Sequence, residues 1–480
     1  MLYFGYHMET RSILAHRYAR SQPIRTGKVS TKMQGSPKLT THLSSHVRAK
    51  PLALFLVVLT ALSIWYWSGL DVVPFHPDES TYTYMSADVE RMLQDPSSLF
   101  WRADQADEKQ QRYRALDAPL TRLSIGFART VATLSTLSVD WDWSKTWVEN
   151  RLAGAEPFPP LLLTARLATA MWFPLTVLFL YLAARRAYGE PTAWIAALLL
   201  ATNALVLLHT RRAMAEGPLL FTLTFALWSL VTAEKRPWLA AFPTALAFCA
   251  KQTLAALLPI ALLALLWQPG RPMLHRLRDT ALFGLIYLAV VVLLNPFLWS
   301  DPVGAIRYAV QERQELAHAQ TADRPTQALN TPGRKLIGMV GSLYLTPPIF
   351  AETINYANET RTAEEAYLRN PLHTVGRSIP VGGILMLLGV MGLGWSAART
   401  ARPRATETGA TSRRALALLT SAGIVLALAL LVAIPLPWQR YYMPLVPFTC
   451  LWAAAGIMAV IDRMRVAALK KPVLPSRKTI

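Results

Sequence analysis

The chain has 480 residues, of which 53% are hydrophobic and only 16% charged. Soluble domains carry about 25% charged residues, so the composition points to a membrane protein. The net charge of +20 would suit a nucleic-acid partner, but its distribution along the chain argues against one and follows membrane topology instead.

Residues 1–51 are basic and polar, with nine Lys/Arg and one acid, Glu9. No apolar stretch precedes Lys50, so the segment does not read as a signal peptide but as a flexible cytoplasmic tail. Apolar runs follow at about 52–70, 161–183, 192–209, 217–233, 238–250, 253–268, 280–297, 379–396, 415–434 and 444–461. Most approach the roughly 20 residues that cross a bilayer. The fifth and sixth are short and flank Lys251, as if they were two arms of one hairpin. The expected fold class is mainly α, a polytopic integral membrane protein of about ten transmembrane helices. Residues 52–461 form its domain, and a basic cytoplasmic tail covers 462–480. The two cysteines, Cys249 and Cys450, sit inside apolar runs and read as core.

Two long loops interrupt the runs, at about 71–160 and 298–378. The first is rich in aromatics and carries helical patterning in "TYTYMSADVERMLQ". It reads as a folded cap on the membrane. Its segment 119–138 contains Arg122 and Arg129 and reads as an amphipathic surface helix. The second loop holds "LIGMVGSLYLTPPIF", a surface or re-entrant element, and Asn358 heads an N-x-T triplet that carries no weight alone.

Charge bias tests the threading. With the N-terminus in the cytoplasm, the inside segments hold 27 Lys/Arg and 6 acids, and the two outer loops hold 17 Lys/Arg and 22 acids. Both termini then lie inside, and the long loops outside. Making 119–138 a span would invert every later loop. The charges in neither set are Arg166, Arg211, Arg212, Lys251, Arg440 and Glu216. All six fall at or near the outer ends of runs. Charge beside a bilayer is costly unless it is paired or lines a wet cavity. Snorkelling and internal ion pairs, such as Glu216 with Arg212, are one reading. A cationic cavity able to hold phosphate is the other.

"FHPDEST", residues 75–81, sits at the same edge. Asp78 and Glu79 follow Pro77, which favours a helix start, and two acids there suit a helix N-terminus. Neighbours on a helix also point about 100° apart, so one acid can face a cavity while the other orients partners. A carboxylate facing a cavity can take a proton from a hydroxyl, while nearby cations hold a phosphate leaving group. His76 reads as a hydrogen-bonding residue. His76 and Asp78 alone are too few ligands for zinc, and a divalent ion at Asp78 and Glu79 is left open.

The chain resembles the membrane glycosyltransferases of the C-type fold, within them the protein O-mannosyltransferase and aminoarabinose transferase superfamily. "HPDE" stands where that family has its acidic pair, and "LDAPLTRLSIG" is similar to its "HPPL" or "KPPL" segment. "HTRRAMAEGPLLF" is similar to its Arg-rich turn with a second acid. "AKQT" and "RYYMPLVP" resemble its Lys turn and its Arg-Tyr-Tyr-x-Pro motif. The set runs in order from about 52 to 461. The resemblance implies inverting transfer of a sugar from a polyprenyl-phosphate donor on the extracytoplasmic side. It implies Asp78 as base or acceptor-orienting acid, Glu79 supporting the donor site and Glu216 as a second acid. Arg211, Arg212, Lys251 and Arg440 would bind the donor phosphate. Tyr441 and Tyr442, beside Arg440, read either as aromatic packing or as donor contacts. The family's lysine is replaced here by Asp117, and Arg122 is expected to take its role. The acceptor stays open among lipid, glycan and protein. No cofactor is implied with certainty, and the Ala, Leu and Arg bias leans to a bacterial inner membrane. A transporter or flippase of a lipid-linked sugar is the alternative, using the same cations during transit.

Overall fold

A computed structural model describes residues 41–234, 236–268, 270–352, 356–401 and 407–469. The chain divides into two compact units, Met1–Leu52 and Ala53–Ile480. In the first, residues 41–52 are helical. The expected tail over 1–51 otherwise lies outside the described residues, as does 470–480 of the C-terminal tail. Residues 462–469 continue the last helix instead of starting that tail.

All regular elements among the described residues are helical. They are α1 (Thr41–Trp67), α2 (Pro77–Met85), α3 (Asp88–Gln94), α4 (Lys109–Leu116), α5 (Pro119–Val131), α6 (Trp147–Leu152), α7 (Pro159–Ala170), α8 (Phe173–Tyr188), α9 (Glu190–Ala201) and α10 (Ala204–His209). Then come α11 (Glu216–Thr232), α12 (Ala241–Ala250), α13 (Leu258–Leu266), α14 (Met273–Leu294), α15 (Pro302–Asp323), α16 (Pro332–Val340), α17 (Ala357–Leu368), α18 (Ile379–Ala401), α19 (Glu407–Ala433) and α20 (Val446–Leu469). Proline opens α2, α5, α7, α15 and α16. Its fixed φ suits the first helical residue, where no amide partner is lost.

Five helices are long and apolar enough to cross a membrane: Pro159–Tyr188, Met273–Leu294, Ile379–Ala401, Arg413–Ala433 and Gln439–Ala468. This is an integral membrane protein. The other five expected runs contain apolar helices of only 10–17 residues. At 1.5 Å per residue these fall short of the roughly 30 Å apolar layer. The run at 192–209 breaks at Thr202 and Asn203, whose side chain caps α10. The run at 253–268 opens as a tight 3-10 turn, Gln252–Leu257, after the extended Lys251. Broken backbone is tolerated at membrane depth where it is buried in protein or lines a cavity.

Small residues let the helices approach. A Cβ at Gly392 of α18 would sit 1.8 Å from the Trp452 carbonyl oxygen of α20. In lipid such close packing, rather than water exclusion, drives helix association. The faces of α14 and α18 are left largely exposed, as suits contact with lipid.

The two long loops fold into one cap. The first carries α2 to α6 and the second α15 to α17. Arg112 pairs with Glu312 at 2.7 Å, and Trp141 Nε1 donates to the Tyr356 hydroxyl at 3.1 Å. The expected surface helix at 119–138 is α5, which buries Ile125 and exposes Phe127 and Val131. The "LIGMVGSLYL" piece is α16 followed by a π turn, Gly341–Leu345.

Candidate active site

The start of α2 organises the site. His76 is its N-cap, and the ring Nδ1 accepts the Asp78 amide at 3.1 Å. A nitrogen that accepts an amide carries no proton, so the ring's hydrogen is on Nε2. Nε2 then donates to Glu352 Oε2 at 3.1 Å. Glu79 closes the capping box by accepting the His76 amide at 3.0 Å.

Glu79 has no free face. It is 0% exposed. Arg166 grips it in a two-pronged pair, Nε to Oε1 at 2.8 Å and Nη2 to Oε2 at 2.9 Å. The Ala213 amide adds a third contact at 2.8 Å. Burial alone would push this carboxyl up, but the Arg166 guanidinium and the amide reverse it and hold Glu79 ionised. Glu79 thereby ties α2 to α7 and to the turn before α11. The helix-start reading of the acidic pair applies to Glu79.

Asp78 points elsewhere. Its carboxylate is 24% exposed and pairs with Arg440 Nη1. Arg440 Nε lies 3.3 Å from Glu352. Burial raises the Asp78 carboxyl, and the charge and hydrogen bond of Arg440 outweigh this and leave it below the usual range. Glu352 is held low in the same way: burial is overcome by Arg440 and by the His76 hydrogen bond. Around Asp78, then, a ring runs from His76 through Glu352 to Arg440.

A second ion pair lies across Tyr441. Lys251 Nζ donates to Glu216 at 2.9 Å and is 23% exposed. Its ammonium stands 5.9 Å from the centre of the Tyr441 ring, and the Arg440 guanidinium stands 5.6 Å from the same centre. Two cations expected at a phosphate site therefore flank one ring. Each is already matched by a carboxylate. Glu216 Oε2 has no partner among the described residues.

Asp117 completes the group. The Tyr82 hydroxyl donates to it at 3.3 Å, and the Arg122 guanidinium donates to its backbone carbonyl at 2.8 Å. Burial pushes its carboxyl up; Arg313 opposes this and the charge of Asp78 adds to it, and the net shift is upward. Two acids in one electrostatic neighbourhood are thus driven apart, Asp78 toward the anion and Asp117 toward the acid.

Other expected site residues stand apart. Arg122 lies 3.0 Å from Asp88, which Arg114 also holds at 2.7 Å, in a buried knot. Arg211 is buried against the rings of Trp65 and Tyr66 and donates to the Tyr66 carbonyl at 2.9 Å. Arg212 donates to the carbonyls of Pro74 and Phe350 at 3.2 and 3.1 Å. These two arginines clamp loops where a phosphate contact was expected. Tyr442 is buried in the core, because successive residues of the 3-10 turn Gln439–Leu445 point about 120° apart. The expected Glu216–Arg212 pair is replaced by Glu216–Lys251. Glu352 was missed: it is a lone acid in a loop whose sequence, "PPIFAET", gives no signal. A divalent ion at Asp78 and Glu79 does not fit. Both Glu79 oxygens are bound to Arg166, and a guanidinium already occupies the face of Asp78. Among the described residues no three His, Cys, Asp or Glu side chains gather as ligands.

Residues 161–299 match the family model described as dolichyl-phosphate-mannose-protein mannosyltransferase. The chain's resemblance to membrane glycosyltransferases is thus found independently over this segment, which carries the Arg-rich turn, Glu216 and Lys251. No curated protein matches the chain. Among solved structures it is similar to the apo Archaeoglobus fulgidus oligosaccharyltransferase, with TM-score 0.46 and 14% identity over 88% of this chain and 52% of that one. The same enzyme with Zn and sulfate gives TM-score 0.45 and 13% identity over 85% and 50%. The chain therefore spans about half of the archaeal enzyme's length. ArnT from Cupriavidus metallidurans bound to undecaprenyl phosphate gives TM-score 0.38 and 16% identity over 88% of this chain and 82% of that one. Likenesses this distant assign no role to any residue here.

Proposed function

We propose that the protein transfers a sugar from a polyprenyl-phosphate donor to an acceptor hydroxyl, with inversion, at the face of the membrane that carries the cap. The observation that carries this reading is the placement of Asp78. It is an ionised carboxylate, 24% exposed, and its counter-ion Arg440 shares the Tyr441 ring with Lys251. The family match at 161–299 supports a lipid-phosphate donor.

The geometry suggests an order of events. The donor phosphate competes with Asp78 for Arg440, and Lys251 turns from Glu216 to help hold it. Losing Arg440 removes the largest influence that keeps Asp78 acidic, and its burial then raises its affinity for a proton. Donor binding in this way turns Asp78 into a better base. The acceptor oxygen attacks the anomeric carbon, and its proton passes to Asp78. The bond from the anomeric carbon to the phosphate oxygen breaks, and the electron pair leaves on the lipid phosphate beside Lys251 and Arg440. Ten crossings, cytoplasmic termini and an outward-facing cap in a bacterial inner membrane complete the proposal, supported by the charge bias. The acceptor is a lipid, a glycan or a protein.

The test is reconstitution with labelled polyprenyl-phosphate sugars and a panel of acceptors. Transfer lost in Asp78→Asn, with donor binding kept, supports the reading. Full transfer by that variant would sink it.

A further inference from the structure

A second buried cation stands apart from this centre. Gly376 has φ +75°, in the left-handed region that favours glycine. That turn sends Arg377 inward just before α18. Arg377 is 6% exposed. Its Nη1 donates to the Ser342 carbonyl at 3.0 Å. Its Nε and Nη2 have no partner among the described residues. Burial pushes the guanidinium down to about 10, against only the weak influence of Cys450 and Tyr344. Both of those groups are neutral at neutral pH. A buried guanidinium with two unused donors and no carboxylate partner among the described residues is strongly unfavourable as it stands. The fork also matches two oxygens of a phosphate.

The guanidinium lines a narrow cleft of about 60 Å³, room for a group of a few heavy atoms such as a phosphate. Its walls are Leu199, Tyr344, Leu385, Thr449, Cys450 and Ala453, from the end of α9, the π turn, α18 and α20. None of Asp78, Lys251 or Arg440 reaches it. Val375, also in its wall, and Val381, one turn before Leu385 on the same face of α18, are exposed. The positive end of this 23-residue helix begins two residues after Arg377. Walls that are mostly apolar, with Thr202, Asn203 and Thr449 among them, suit a phosphate carried on a hydrocarbon chain that leaves along the exposed transmembrane helix.

We propose that the Arg377 cleft is a second anion site, which takes the phosphate of a membrane lipid while the lipid's chain runs down the exposed face of α18. The site is independent of the glycosyl-transfer reading, and its occupant needs no sugar.

Native mass spectrometry of the full-length protein, titrated with dodecyl phosphate, tests this. Inorganic phosphate and dodecanol form the comparison arms. One dodecyl phosphate is expected to bind at Arg377, and its affinity falls at least tenfold in Arg377→Gln, about what losing one charge-assisted contact gives. Ala453→Phe, which fills the cleft and keeps the arginine, is expected to lose the same binding event. It provides the test if Arg377→Gln does not fold. In Arg440→Gln this event persists, so failure of the transfer reading leaves it untouched. Unchanged binding of dodecyl phosphate in both cleft variants overturns the proposal. Inorganic phosphate binding as tightly as dodecyl phosphate, and lost in Arg377→Gln, overturns the lipid source.

Discussion

Asp78 and Glu79 are neighbours in sequence, yet their removal is expected to give opposite phenotypes. Glu79→Gln leaves the Arg166 guanidinium buried, with its two-pronged partner gone. Breaking a buried pair by removing one member costs about 3–5 kcal/mol. Both groups are almost fully enclosed, 0% and 4% exposed, so solvent screening offers no large discount. An unfolding entropy of about 2.1 cal/mol/K per residue gives about 1 °C per kcal/mol for a unit of this size, hence a melting temperature lower by about 3–5 °C. Asp78→Asn removes a pair that is part open to water, and Arg440 keeps Glu352, so the stability loss is about 1 kcal/mol or less. Transfer, by contrast, should fall about 10²–10⁴-fold, the usual worth of a general base. The assay pairs thermal unfolding in detergent, read by size-exclusion fluorescence, with transfer from a labelled lipid donor on the same preparations. If Glu79→Gln melts with the parent, or if Asp78→Asn is the less stable of the two, the assignment of structural and reactive acids is wrong.

Other expectations follow from the same geometry. Because Arg440 depresses the Asp78 carboxyl only until donor phosphate displaces it, the acid limb of kcat/KM should lie below that of kcat; coincident limbs would refute the displacement. Asp117 holds its proton more tightly in the folded protein, so it contributes stability below the ordinary carboxylate range, near pH 4, and this is lost as pH rises through its folded value. Asp117→Asn should therefore be more stable than the parent at neutral pH, with the gain fading toward pH 4 in melts across pH. Lys251→Met strands Glu216; because the ammonium is 23% exposed, the cost falls below that of a fully buried pair, to roughly 1–3 kcal/mol; adding Glu216→Gln should recover most of the stability, while KM for the lipid donor stays raised. Gly392→Leu should destabilise by about 3 kcal/mol through its clash with α20, whereas Gly394→Ala, with nothing within 4 Å, should melt as the parent does.

The sequence made the membrane class, the positions of the apolar helices and the neighbourhood of Asp78 legible, because each leaves a local mark. Apolar run length marks a helix, and a charge stranded at a run's end marks a place where protein, not lipid, must enclose it. Which stranded charge does what was not legible. Arg166, Arg211, Arg212, Lys251 and Arg440 all carry that same mark. The structure divides them: Arg166 holds Glu79, Arg211 and Arg212 hold backbone carbonyls, and Lys251 and Arg440 meet at Tyr441. The division depends on contacts across 87 residues for Arg166–Glu79 and 362 for Arg440–Asp78, which no local pattern encodes. Glu352 was invisible for the same reason.

The broken helices follow from this division of charge. A continuous helix through 192–209 or 253–268 would satisfy its own backbone and leave no room for a polar site between helices. Here the breaks fall at Thr202–Asn203, in the wall of the Arg377 cleft, and at Lys251, beside Glu216 and Tyr441. The Asn203 side chain satisfies two of the freed amides. The freed turn before α11 gives the Ala213 amide to Glu79 and the carbonyl of Arg212 to Thr169. Backbone groups released by shortening the helices thus become partners for the acid that anchors α2, and α2 in turn presents Asp78. Straightening either break should cost the site its geometry before it costs the bundle its packing, because the long helices α8, α18 and α20 pack without those turns.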